Sequence, residues 1–112
     1  MQPYFYRNIS EKDFLALHMF LYNVSIIVED GSHDQVFDWL SSLVKNQSLP
    51  IKLLKMLDSP HEGTTYCLQL TTDDESILQG FQQSTVADLQ AYIGLNHREK
   101  AFIFDSKMQF LA

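Results

Sequence analysis

From Phe20 to Val28 apolar residues alternate with a mixed set. Phe20, Tyr22, Val24, Ile26 and Val28 fall on one face, and Leu21, Asn23, Ser25 and Ile27 on the other. A period of two predicts a strand, because successive side chains leave a pleated backbone on opposite sides. The first face is wholly apolar and is expected to meet helices. The second is mixed, which suits a surface partly covered by something else. Glu29-Asp30-Gly31 turns the chain, after which Val36, Phe37, Leu40, Leu43 and Val44 recur at helical spacing with Trp39 on the flank. Ser32 is placed as the N-cap, with Gln35 three residues on to complete a capping box. Asp34 suits the positive end of the helix dipole, and Asn46 and Pro50 mark the exit.

Residues 51–57 predict a second strand, apolar on both faces with lysines at 52 and 55. The turn formers at 58–63 join it to a third strand over 64–71, and the pair reads as an antiparallel hairpin. Thr72 with Glu75 forms another capping-box signature. The second helix is expected to bury Ile77, Leu78, Phe81, Leu89, Tyr92 and Ile93 and to stop at Gly94. Gly80 and Ser84-Thr85 weaken its middle, where a bend or break is expected. Residues 101–110 predict the last strand, bulged or bent around Asp105-Ser106.

The resulting order is βαββαβ. With right-handed crossovers it gives an α+β, ferredoxin-like domain: a four-stranded antiparallel sheet with two helices on one face. The helix-free face must be wet or covered by another chain. Leu21, Ile27, Leu54 and Met56, or their opposites in another register, are the apolar candidates there, and they motivate a homodimer. Residues 1–18 stand apart as an N-terminal extension to a single domain at 19–112. The extension has no clear period, although Ser10-Glu11-Lys12-Asp13 opens a possible short helix carrying Phe14, Leu17 and His18. It is expected to cover a sheet edge or a partner subunit. The alternative is that the native chain starts at Met19, immediately before the first strand.

Tyr22-Asn23-Val24-Ser25, His33-Asp34 with Trp39-Leu40, and Gly63-Thr64-Thr65-Tyr66 followed by Gln69 resemble the domain-of-unknown-function family numbered 4286, over approximately residues 19–112. The resemblance implies a small bacterial protein with the dimeric α/β-barrel type of ferredoxin-like fold. It implies no established activity. The stretch 45–50 departs from the family pattern: it is short and lacks the histidine of a His-Ile-Pro segment often found there, so no function of that segment carries over.

Composition narrows the chemistry. A formal net charge of −6 opposes binding to phosphate backbones, which depends on Lys and Arg, and disfavours an anionic membrane. No apolar run approaches the roughly 20 residues of a membrane span. One cysteine, Cys67, excludes an intramolecular disulfide framework and fits a reducing compartment, so the expectation is a cytoplasmic protein. His18, His33, His61 and His97 lie on separate elements without metal-ligand spacing, so no metal is expected. His33 reads as the first helical residue after a cap, and His61 and His97 as solvated turn residues. Cys67 reads as a buried thiol, and Asp73-Asp74-Glu75 as carboxylates suited to a helix start. Tyr22 and Tyr66 occupy the two strands on which RNA-recognition domains stack bases. The basic aromatic signature of those domains is missing here, and packing is the preferred reading.

No catalytic motif, phosphate loop or cofactor motif accompanies the fold, and no cofactor is expected. Asn23, His33, Trp39, Tyr66 and Gln69 are the candidate ligand-binding residues, apolar and polar groups of the kind that line and orient a small-molecule pocket. Asn23 and Gln69 have strand parity opposite to Tyr66, which argues against all five converging. The leading expectation is a non-enzymatic module for homodimeric association through the helix-free sheet face, with a small apolar ligand as a further candidate partner and no nucleic acid or membrane. The alternative is a cofactor-independent dimeric α/β-barrel enzyme, oxygenase- or isomerase-like, with a pocket between sheet and helices.

Overall fold

The computed structural model describes residues 18–111. Four strands form one antiparallel sheet in the order β2-β3-β1-β4. They are β1 (Phe20–Val28), β2 (Lys52–Lys55), β3 (Thr64–Thr72) and β4 (Ala101–Gln109). Helix α1 (His33–Lys45) crosses from β1 to β2. The crossover from β3 to β4 is one long helical segment in three parts: α2 (Glu75–Gly80), a π-helical stretch (Phe81–Val86) and α3 (Ala87–Asn96). This is the ferredoxin-like βαββαβ arrangement expected from the order of apolar runs. Apart from His18, the expected N-terminal extension and its short helix lie outside the described residues.

The apolar face of β1 meets the helices as expected. Tyr22, Val24, Ile26 and Val28 pack with Leu68 and Leu70 of β3, Val36 and Leu40 of α1, and Leu78, Phe81, Leu89 and Ile93 of the second helical segment. These groups supply most of the folding drive, since each fully buried apolar side chain contributes roughly 1.5–3 kcal/mol. Gly63 is forced by its surroundings. Its φ is +83°, and a Cβ there would lie 2.2 Å from the Val28 carbonyl oxygen, where the hairpin loop passes the end of β1.

Several local expectations are corrected. Ser32 does precede α1, but its φ of −116° and ψ of −8° leave its side chain without a capping bond. Side-chain caps form from extended backbone, and the expected capping box is absent. The second helix is capped two residues after the predicted Thr72, at Asp74. Asp74, with extended backbone, accepts from the Ser76 amide at 2.8 Å, while Thr72 Oγ1 accepts from the Asp74 amide. The weak middle of that helix becomes the π-helical stretch, which keeps Thr85 and Val86 buried as neighbours. Gly94 does not terminate the helix, which runs on to Asn96 with His97 as its C-cap. Strand β2 is only four residues long. Strand β4 carries no bulge, and its nine residues pair one-to-one with β1 from Phe20↔Gln109 to Val28↔Ala101. Asp105 takes an ordinary place in that ladder and accepts a hydrogen bond from the Tyr22 hydroxyl.

Candidate functional site

The register decides which side chains the helix-free face presents. Leu21, Asn23, Ser25 and Ile27 of β1 stand opposite Thr71, Gln69, Cys67 and Thr65 of β3, and opposite Met108, Ser106, Phe104 and Phe102 of β4. Lys52 and Leu54 of β2 continue the rows beyond Gln69 and Cys67. Leu21, Ile27 and Leu54 therefore lie on this face as expected, and exposed Met56 follows directly after β2. The larger apolar contribution comes from β4, where Phe104 is 60% exposed and Phe102 and Met108 are also open to solvent. Sequence reading missed these three, because β4 carries apolar residues at both parities and only its pairing with β1 assigns them a side.

A polar row crosses the middle of the face. Gln69 Nε2 donates to Asn23 Oδ1 at 3.1 Å, Asn23 Nδ2 donates to Ser25 Oγ at 3.0 Å, and Ser25 Oγ lies 3.7 Å from Cys67 Sγ. Asn23 and Gln69 thus come together as a pair. The Cys67 thiol is buried, as expected. Tyr22 and Tyr66 turn instead toward the helices and are buried there, so neither ring is available for stacking on the open face.

His33 and Tyr66 meet elsewhere, at the rim where the start of α1 passes over β2 and β3. With Asp34, Phe37, Leu53, Leu54 and Lys55 they line an open cleft of about 390 Å³. The Phe37 and Tyr66 rings lie 5.6 Å apart at 36°. His33 Nδ1 is 3.4 Å from Asp34 Oδ1. Burial, with the Asp34 charge adding to it, holds the Tyr66 hydroxyl above the usual tyrosine range, so it is a neutral donor at ordinary pH.

Trp39 joins neither group. It stacks on Tyr92 with ring centroids 4.5 Å apart and planes within 7°. The Tyr92 hydroxyl lies 2.9 Å from His97 Nε2. His97 is buried, a correction to its reading as a solvated turn residue, because the end of α3 folds it under Tyr92. This cluster ties α1 to α3. The five candidate residues therefore divide among three places, following the parity conflict visible in the sequence. Among the described residues no group of His, Cys, Asp and Glu is arranged to hold a metal ion, and no helix is long and apolar enough to cross a membrane.

Residues 19–111 match the family described as Domain of unknown function (DUF4286), and the chain belongs to that family. No curated protein matches it. Three solved structures share the fold at low identity. The de novo designed protein Foldit4 superposes with a TM-score of 0.56 at 10% identity, covering 81% of this chain and 97% of the design. A dimeric ferredoxin-like protein from an uncultured marine organism gives a TM-score of 0.52 at 9% identity, covering 84% and 95%. A DABB family protein with a ferredoxin-like fold from Mesorhizobium loti gives 0.52 at 7%, covering 83% and 99%.

Proposed function

We propose that this member of the family is a homodimeric association module, with residues 19–112 as the associating unit and the helix-free sheet face as its contact. The observation that carries the reading is the character of that face. Phe102, Phe104, Met108, Leu54, Ile27 and Leu21 spread apolar surface across it. Its strand side chains include no carboxylate, and Lys52 is the sole charge among them. A second copy is the fitting occupant because a chain of net charge −6 repels itself on its other surfaces and not on this one. The dimeric state of one structural neighbour adds support by analogy of fold. The single cysteine, which fits a reducing compartment, favours the cytoplasm.

The alternative, a cofactor-independent dimeric-barrel enzyme, draws on the Gln69–Asn23–Ser25–Cys67 row that a docked copy would enclose. Association leads because the centre of the layer between sheet and helices is filled by side chains such as Phe81, Leu40, Leu68 and Leu89, leaving the cleft beside His33 and Tyr66 at its rim. Light scattering on a sizing column over a wide concentration range is the test, with Phe104→Glu beside the native chain. The native protein is expected at twice its 13.0 kDa chain mass. The variant is expected as a folded monomer, because each copy would bury an unpaired carboxylate. A native monomer throughout, or an equally dimeric variant, overturns the reading.

A further inference from the structure

We propose that the cleft between the start of α1 and the β2–β3 edge binds a small aromatic acid: one planar ring bearing one carboxylate. The volume of about 390 Å³ lies at the lower end of the range for small-molecule sites, which suits a single ring and little more. The walls are chosen for such a ring. Phe37 belongs to the apolar stripe of α1 yet remains 43% exposed, because its ring leans over the cleft beside Tyr66 instead of entering the core. An aromatic guest would cover that surface and stack against both rings, an arrangement that adds to simple burial.

The polar groups specify the acid. Among the described residues, the Tyr66 hydroxyl and the Lys55 ammonium make no hydrogen bond or ion pair, although both line the cleft. Tyr66 is otherwise buried and lines the cleft with its hydroxyl unpaired. Asp34 also borders the opening and its charge reaches the Tyr66 hydroxyl, but its side chain is almost fully exposed, where water screens it, and lies against His33. A neutral donor from the floor and a cation at the rim are thus left for an acceptor, and a carboxylate engages both with charge-assisted bonds. The inference does not rest on dimerisation, because Phe37 and Tyr66 lie on the helix side of the sheet.

The test is titration with benzoate, benzylamine and benzyl alcohol, followed by amide chemical shifts of the full chain and repeated on Phe104→Glu so that this site and the dimer fail separately. Benzoate is expected to give saturable shifts confined to residues 33–37, 53–55 and 66, with affinity about tenfold above that for benzylamine. Lys55→Gln is expected to weaken benzoate about tenfold and leave benzyl alcohol unchanged, and Tyr66→Phe to weaken it by a smaller factor. No saturable shift with benzoate, a preference for benzylamine, shifts centred elsewhere, or benzoate binding indifferent to Lys55→Gln would each overturn the site.

Discussion

Tyr22 shows how one side chain serves the core and the sheet edge together. Its ring meets Phe81 edge-on at 5.8 Å, while its hydroxyl donates to Asp105 on β4. Burial, then the hydrogen bond to Asp105 and that carboxylate's charge, push the hydroxyl above the usual tyrosine range. Burial does the same to Tyr66 and Tyr92, with Asp34 and Asp38 contributing. The folded chain therefore holds these protons more tightly than the unfolded chain. Their stabilisation is complete below the ordinary tyrosine value near pH 10 and is lost as pH rises through the higher folded values. Tyr22→Phe is expected to lower stability at neutral pH by about 1 kcal/mol through the lost hydrogen bond. It should also make the decline above pH 10 shallower, which urea unfolding across an alkaline series would reveal; an unchanged slope would refute the assignment.

At the scale of elements, the second helical segment shows how continuation differs from local signals. Gly94 looks like a stop because glycine readily takes the left-handed backbone of a C-cap. In the structure it is an ordinary helical residue of α3, with open space where a Cβ would be. The helix continues because Ile93 is buried against the sheet and His97 is pulled under Tyr92, so the chain is held helical past the glycine. The two readings predict opposite signs for Gly94→Ala. A C-cap glycine would make alanine destabilising, whereas a helix-interior glycine makes it stabilising by about 0.5–1 kcal/mol. Thermal unfolding of the variant is expected to show the increase. The straight β4 follows the same logic: Asp105 and Ser106 look like a break, but Tyr22 and the β1 ladder give them regular partners.

For the whole molecule, charge and shape act together. Fourteen carboxylates against eight Lys and Arg leave the surface acidic, while the strand side chains of the helix-free face hold none of those carboxylates. Association through that face brings two negative bodies together over an apolar contact. Salt should therefore tighten the dimer, because screening removes repulsion and weakens no bridging ion pair. Raising sodium chloride from roughly 20 to roughly 200 mM, which shortens the screening length to below about 10 Å, is expected to lower the dissociation constant in sedimentation equilibrium. Dissociation on adding salt would mean that ion pairs hold the copies together and that another surface is used.

The element order, the inward face of β1 and the apolar stripe of α1 were legible in the sequence, because a period of two or of 3.6 is written between near neighbours. The sorting of Leu21 and Ile27 away from the inward face of β1 was legible for the same reason, as was the separation of Asn23 and Gln69 from Tyr66. Leu54, on a strand apolar at both parities, instead took its side from pairing with Cys67. What only the tertiary structure decided depends on residues far apart in the chain. The side taken by Phe102 and Phe104 follows from their pairing with Ile27 and Ser25, since apolar residues at both parities of β4 leave its local pattern ambiguous. The cleft exists because α1 lays His33 and Phe37 over Lys55 and Tyr66. Trp39 was drawn away from it by a stacking partner more than fifty residues later in the chain, Tyr92, which no local spacing identifies.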